Sequence, residues 1–176
     1  SLKPLLSKYN LKIIDVEKVP IHCGSIRVVT TKNTSESKSE VVDGFIEMEK
    51  DYKDLSKFST EISFALNDLG AQLGYIKERD KTVAGYGASG RANVVTSTKN
   101  WDTNDLMYIV DESPERYDRF TSNGKIPIFN PEILKVHPPD YILILAWNFA
   151  DMIIEKTKHL GIPYIVPFPE IKFINP

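Results

Sequence analysis

In the second half of the chain, short uninterrupted apolar runs alternate with helical patterns. Apolar runs without polar alternation are typical of strands buried on both faces of a sheet. We predict five such strands, at residues 82–86, 106–110, 126–129, 141–146 and 164–166. Helices are predicted between them, at residues 91–100, from 131 onward and at 149–160. This alternation predicts an α/β, Rossmann-like fold, with an open parallel sheet in the order 3-2-1-4-5 flanked by helices.

A long amphipathic helix is predicted ahead of these strands, over residues 54–78. Its apolar positions step by three or four residues, which places them on one stripe: Leu55, Phe58, Ile62, Leu66, Leu69, Leu73 and Ile76. Packing of this stripe on the protein's own sheet is favoured over a dimer interface.

The N-terminal region carries a separate pattern. A short helix is predicted in the first nine residues, and strands at 11–17 and 25–30 form a β-hairpin. These elements are too few to bury a core of their own, so we interpret residues 1–31 as the tail of a larger domain. Residues 32–43 are predicted as a linker because they begin with a polar, Ser-rich run, and residues 44–176 as the Rossmann-like C-terminal domain.

Composition and charge narrow the possible functions. The net charge is −2 at pH 7 and no basic block occurs, which argues against a nucleic-acid partner. No apolar run reaches the roughly 20 residues of a membrane span, so no membrane association is predicted. Cys23 is the single cysteine, which excludes an intramolecular disulfide and a cysteine-based metal cluster. We expect a cytoplasmic protein with no metal site in this chain.

The strongest chemical signal is the glycine loop Gly85–Gly90, with a G-x-G-x-x-G spacing between a predicted strand and a predicted helix. In such loops the first glycine permits the turn, the second admits a phosphate, and the third allows close helix packing. The N-terminus of the following helix favours an anion. We therefore predict a nucleotide-like ligand. A valine at Gly87 is expected to abolish its binding in a folded protein.

Other polar residues lie near this loop. Asp111 ends the next predicted strand, about 20 residues later, where an acid accepts from a ribose hydroxyl. Ser89, Arg91 and Asn93 are candidate phosphate contacts. Alternatively, Ser89 and Asn93 cap helices and Arg91 is solvated. A dinucleotide cofactor fits this pattern equally well, and so does a tight turn that binds nothing.

Trp147 and Asn148 directly follow the most apolar predicted strand. At that position they flank the ligand crevice of an open α/β sheet. Trp147 is a candidate for stacking on a base or sugar, or else it covers the adjacent helix. Asn148 is a candidate ligand contact or the N-cap of that helix. His22, in the hairpin tip, is a weak catalytic candidate, and a surface histidine is the alternative.

Four stretches together resemble a known family. They are residues 15–27 (DVEKVPIHCGSIR), 85–93 (GYGASGRAN), 139–148 (PDYILILAWN) and 166–170 (VPFPE). In this order they resemble the sugar-nucleotide C-methyltransferases, which use S-adenosylmethionine to methylate a carbon of a keto-deoxysugar. Two positions depart from the family's pattern: Cys23 replaces the first glycine of an H-G-G segment, and Gly90 stands where many members carry alanine.

The resemblance implies a domain layout and a role. Family members have an N-terminal zinc-binding module, a central S-adenosylmethionine domain and a Rossmann-like C-terminal domain. This chain would be the C-terminal domain, preceded by the final hairpin of the methyltransferase domain. Its ligand would be a nucleotide-diphosphate sugar. The zinc and methyltransferase domains, and with them the S-adenosylmethionine site and most catalytic residues, would lie outside this chain, which we expect to be inactive alone.

Two alternatives to this interpretation stay open. The first is an NAD(P)-binding Rossmann domain of an oxidoreductase, for which the glycine loop and Asp111 are equally suitable. The second is a non-catalytic module that assembles through the helix predicted over residues 54–78.

Overall fold

The computed structural model describes residues 2–21, 24–50 and 55–176. Two compact units are present, one up to Thr60 and the other from Glu61. The helices in the described residues are α1 (Leu2–Ser7), α2 (Glu40–Met48), α3 (Ser56–Lys77), α4 (Gly90–Thr98), α5 (Ile133–Val136) and α6 (Ala150–Thr157). The strands are β1 (Lys12–Val19), β2 (Ser25–Thr31), β3 (Val83–Tyr86), β4 (Ile109–Val110), β5 (Arg119–Phe120), β6 (Pro127–Phe129), β7 (Tyr141–Ile144), β8 (Tyr164–Val166) and β9 (Lys172–Ile174).

In the N-terminal unit, β1 and β2 pair antiparallel and α2 packs against β1. Helix α2 begins inside the segment predicted as linker, so the polar connection is limited to residues 32–39. Ser39 ends this connection: its hydroxyl accepts a hydrogen bond from the Val41 N–H at 3.3 Å, and its own N–H donates to the Ile14 carbonyl at 2.8 Å. Val16 and Val42 are the buried apolar side chains among the described residues of this unit, which makes its core small.

In the C-terminal unit, a seven-stranded mixed sheet has the order β5-β6-β4-β3-β7-β8-β9. The five strands from β6 to β8 run parallel, and β5 and β9 add an antiparallel strand at each edge. Numbered along the chain, the parallel strands stand in the order 3-2-1-4-5. The α/β class is confirmed. The sheet is mixed and not purely parallel because β5 and β9 pair antiparallel at its edges. These two strands, of two and three residues, are too short to leave a periodic pattern in the sequence.

Two hydrophobic cores cover the two faces of this sheet. Successive side chains of a strand point to opposite faces, so each apolar strand supplies both cores. In β7, Leu143 packs in the core that holds Leu69 of α3, whereas Ile142 and Ile144 pack in the core that holds Ile153 of α6. The central strands are thus buried on both sides, which explains their uninterrupted apolar runs.

Helix α3 packs on this sheet through only part of its apolar stripe. Its last four stripe positions are buried: Leu66, Leu69, Leu73 and Ile76. The first three positions of the stripe are exposed: Leu55, which directly precedes the helix, and Phe58 and Ile62. Leu66 and Leu73 lie in the core of the domain, so they do not form the assembly surface that a non-catalytic module would need. Even α3, the longest helix of the described residues, lacks the apolar character of a membrane-crossing helix, as do the others.

Asp140 joins the starting ends of the two central strands. Its Oδ2 accepts hydrogen bonds from the Thr82 N–H at 2.8 Å and the Thr82 hydroxyl at 2.9 Å, and its Oδ1 accepts from Lys81 Nζ at 2.9 Å. The Lys81 hydrogen bond and those from Thr82 hold the pKa of Asp140 below its usual range. This carboxylate therefore keeps β3 and β7 in register, so that both deliver their carboxyl ends to the same edge.

Candidate functional site

A cleft of about 480 Å³ opens at the carboxyl ends of the central strands. Because β4 and β7 lie on opposite sides of β3, the cleft sits where the strand order reverses, the usual ligand position in open α/β sheets. Its lining residues are Tyr86, Gly87, Ser89, Asp111, Glu112, Arg116, Ala146, Phe149, Met152, Ile153 and Lys156. A cavity of about 590 Å³ in the N-terminal unit is lined by none of the candidate residues.

Gly85 lies inside β3 and does not form the turn expected of it. A Cβ at this position would come within 2.8 Å of Leu145 Cδ1 and 2.9 Å of Ile109 Cγ1. The missing side chain therefore lets neighbouring strands pack closely in the core, and the expected turn function of Gly85 is wrong.

The turn is made by Gly87, whose φ of +97° falls in the region that favours glycine. A Cβ here would lie 2.5 Å from Ala146 Cβ. The Gly87 N–H donates to the Val110 carbonyl at 2.7 Å, so it is not available to a phosphate. The expectation that a valine at Gly87 leaves the fold intact is therefore wrong, because the side chain would collide with the loop after β7.

Gly90 begins α4 and is exposed. A Cβ built on it meets nothing within 4 Å. The expectation that Gly90 allows close packing of helix against strand is therefore wrong.

Asp111 holds the glycine loop in place. Its carboxylate is buried, with the residue 5% exposed. Oδ2 accepts from the Ala88 N–H at 2.6 Å and from Arg116 Nη1 at 2.7 Å, and Oδ1 accepts from the Ser113 N–H at 2.9 Å. Three of about four acceptor positions are thus occupied within the chain. The expected function of Asp111 as the ribose acceptor is revised to that of a buried support for the loop.

The first turn of α4 forms one edge of the cleft. Ser89 is its N-cap, and the Ser89 hydroxyl accepts from the Ala92 N–H at 3.4 Å. The N–H groups of Ser89, Gly90 and Arg91 have no acceptor within the described part of the chain. Unsatisfied N–H groups at a helix start, together with the helix dipole, attract an anion. The edge of the cleft at Ser89 therefore suits a phosphate.

Arg91, Asn93 and Trp147 lie outside the cleft lining. The Arg91 guanidinium carbon lies 5.3 Å from the centroid of the Trp147 ring. This ring also packs edge-on against Phe168, at 4.8 Å between ring centroids, and against the hydrophobic core. Asn93 Oδ1 accepts from the Ser122 N–H at 3.1 Å. The structure thus engages these three side chains in packing and loop support and does not bring them to the cleft.

Asn148 lies in a short 3₁₀ turn after β7. Its side-chain amide nitrogen and oxygen are both buried and have no hydrogen-bond partner among the described residues. The N-cap of α6 is Phe149, so the expected capping role of Asn148 is wrong. A buried amide without partners costs about 1–3 kcal/mol. Within the described residues, this amide is therefore a local cost to the fold.

His22 lies outside the described residues. Among the described residues no group of three or more His, Cys, Asp or Glu side chains is arranged to hold a metal ion.

The sequence interpretation missed a charged cluster in the cleft. The Tyr86 hydroxyl donates to Glu112 Oε1, and Lys156 Nζ donates to Glu112 Oε2 at 2.5 Å. The Lys156 hydrogen bond, and then the Tyr86 one, lower the pKa of Glu112, and burial is the main cause that raises the pKa of Tyr86. A signal was present: Met152, Ile153 and Lys156 share one face of α6 by their spacing of three and four.

Comparison with known proteins shows the family of this chain. The model of the family described as C-methyltransferase C-terminal domain matches residues 20–169. A similar protein is the C-methyltransferase NovU of Streptomyces niveus, which is 28% identical over 187 aligned residues. The alignment covers 99% of this chain but 44% of NovU, so the chain spans less than half the length of that relative.

Gly87, in the turn, and Gly90, at the start of α4, give a matched pair of variants. We expect Gly87→Ala to lower the free energy of unfolding by about 2 kcal/mol or more, because Ala strains at positive φ and collides with Ala146. Gly90→Ala should leave stability unchanged or raise it by up to about 1 kcal/mol, since its Cβ meets open space in a helix. Urea unfolding followed by circular dichroism measures both. Equal losses for the two variants would contradict these assignments.

The buried carboxylate gives a second prediction. Asp111→Asn should lower the free energy of unfolding by about 2 kcal/mol, because the Ala88 N–H and Arg116 lose a charged acceptor. Asp118→Asn is the control: Asp118 is exposed and sits at a φ of +57°, which asparagine tolerates. The same urea titration compares them. A stability for Asp111→Asn equal to that of the control would show that the carboxylate does not support the loop.

Proposed function

Because this chain belongs to the C-methyltransferase C-terminal domain family, we propose that it binds the nucleotide-diphosphate sugar on which such an enzyme acts. The substrate class is a keto-deoxysugar nucleotide. NovU extends well beyond the part that this chain matches. In our proposal, domains elsewhere in the polypeptide bind zinc and the methyl donor S-adenosylmethionine, and this chain brings the substrate to them.

The observation that carries the proposal is the polar edge of the cleft. The start of α4 offers N–H groups that have no acceptor among the described residues, and Arg116 and Lys156 line the same cleft. Both cations are partly exposed, at 45% and 58% of their side chains. A diphosphate carries negative charge and many acceptor oxygens, so this edge matches its chemistry.

Another wall of the cleft, beside Lys156, is apolar. Phe149 and Met152 are exposed large hydrophobic residues, at 44% and 63%, and Ile153 lines the cleft beside them. An exposed apolar surface next to charged groups is typical of a ligand site. In our proposal this wall takes the flat face of the base or of a sugar ring, while the diphosphate lies at Ser89.

The cleft suits the methyl donor less well. S-adenosylmethionine carries a sulfonium cation, which the positive start of α4 would repel. We therefore assign no step of methyl transfer to residues of this chain. The function proposed for this chain is to bind and orient the substrate.

A ligand titration tests the proposal. UDP-glucose or dTDP-glucose should raise the melting temperature of the chain and bind in calorimetry, and NAD should bind more weakly. Ser89→Asp should weaken binding of the diphosphate sugars at least about tenfold, because Asp is a good N-cap but places a negative charge at the anion site.

Ser39→Asp is the matched control. It makes the same change at the N-cap of α2, in the N-terminal unit, and should leave binding unchanged. Stabilisation by NAD but by no diphosphate sugar would contradict the proposal and favour an oxidoreductase domain. Absence of any nucleotide effect would favour a module without a ligand.

A further inference from the structure

Two acidic residues follow β4, and their surroundings differ. Asp111 is buried and its carboxylate is engaged by Ala88, Ser113 and Arg116. Glu112 lines the cleft, and 52% of its side chain is exposed. Only Glu112 therefore presents a carboxylate that a bound molecule can reach without displacing loop contacts.

The Glu112 carboxylate is held from two sides. Tyr86 comes from β3, is 2% exposed, and donates to Oε1. Lys156 comes from α6 and donates to Oε2. A carboxylate has about four acceptor positions, so these two contacts leave roughly two of them unused. An ionised group fixed in this way is ready to accept hydrogen bonds from hydroxyl groups.

The position of Glu112 relative to the start of α4 indicates which part of a ligand would donate hydrogen bonds to it. Ser89 and Glu112 line the same cleft, one after β3 and the other after β4. In dinucleotide-binding sheets a pyrophosphate at the first helix places a ribose at the acid that ends the next strand. The same relation here places a nucleoside ring between the diphosphate edge and Glu112, with the apolar wall at Phe149 and Met152 alongside.

We infer that Glu112, and not Asp111, accepts hydrogen bonds from the hydroxyl groups of the ligand's nucleoside ring, and that Tyr86 and Lys156 are positioning residues for it. This inference rests on the function proposed above. It names the part of the ligand that each side of the cleft contacts: the start of α4 takes the diphosphate, and Glu112 takes the ribose or deoxyribose.

Calorimetry with three probes tests this assignment. The probes are inorganic pyrophosphate, the nucleoside diphosphates UDP and dTDP, and UDP-glucose. Glu112→Gln should weaken UDP and dTDP about tenfold, because both share the ribose 3′-hydroxyl and a charged acceptor is lost. Pyrophosphate should bind Glu112→Gln and the unsubstituted chain with the same affinity. Glu132→Gln, at an exposed glutamate paired with Lys135, is the matched control and should change nothing.

The outcomes separate this inference from the proposed function. If the unsubstituted chain binds UDP or dTDP and Glu112→Gln binds them equally well, the inference is wrong and the proposed function stands. A loss seen with UDP-glucose but not with UDP or dTDP also overturns it, since Glu112 would then face the hexose. If the unsubstituted chain binds none of the nucleotides, both are wrong.

The positioning role of Lys156 has its own readout, the dependence of affinity on pH. The titratable and charged groups around Glu112 come from β3, the turn after β4 and α6: Tyr86, Asp111, Arg116, Tyr117 and Lys156. Because the Lys156 hydrogen bond lowers the pKa of Glu112, this carboxylate is protonated at a lower pH than an ordinary glutamate. Affinity is lost only as the pH falls below that lowered pKa.

In Lys156→Met the pKa of Glu112 should rise, so the loss of UDP affinity on acidification should begin at a higher pH. Lys158→Met removes an exposed lysine paired with Glu155 and should keep the original profile. The pH profile of Glu112→Gln shows the part of the pH dependence that comes from the ligand's own phosphate. A Lys156→Met profile that coincides with that of the unsubstituted chain would show that Lys156 does not position Glu112.

Discussion

The hydrogen bond from the Ala88 N–H to the buried carboxylate of Asp111 supports the rest of the cleft. It joins the loop after β3 to the end of β4, across two adjacent strands. Gly87 makes the same loop possible from the other side, since only a missing Cβ allows its approach to Ala146 after β7. The loop is thus held between three strand ends. Its shape decides where α4 begins and where the N–H groups of its first turn point.

Charge in the cleft is arranged as two pairs that differ in burial. Arg116 pairs with Asp111, whose side chain is 7% exposed. Lys156 pairs with Glu112, whose side chain is 52% exposed. The first pair is structural, because the buried partner would be left uncompensated without its cation. The second pair lies in solvent and contributes little to stability. Its groups are therefore available to orient a ligand at little cost to the fold.

Much of the fold could be predicted from the sequence because strands buried on both faces leave uninterrupted apolar runs. The two central strands follow from such runs, and the long helix α3 follows from apolar residues spaced by three or four. Helix α2 was missed although Ser39 and the apolar residues after it carry a capping signal, because the Ser-rich run before it suggested a linker. Strands β5 and β9 are too short to leave a period.

The candidate site could be predicted only at its centre. Gly87, Ser89 and Asp111 line the cleft, whereas Gly85, Arg91 and Asn93 serve packing or loop support. A motif marks a candidate loop, but it does not tell which of its glycines line the cleft and which meet a neighbouring strand. Glu112 and Lys156 were missed because they are 44 residues apart, and only the return of the chain after β7 brings them together.

The most direct test of this account is to map the amide signals of the ¹⁵N-labelled chain by nuclear magnetic resonance while dTDP-glucose is added. The account predicts the largest shift changes at the amides of Ser89, Gly90 and Arg91, whose N–H groups have no acceptor among the described residues, and small changes throughout residues 2–50. Changes confined to the N-terminal unit, or none at the start of α4, would contradict the claim that this loop holds a nucleotide diphosphate.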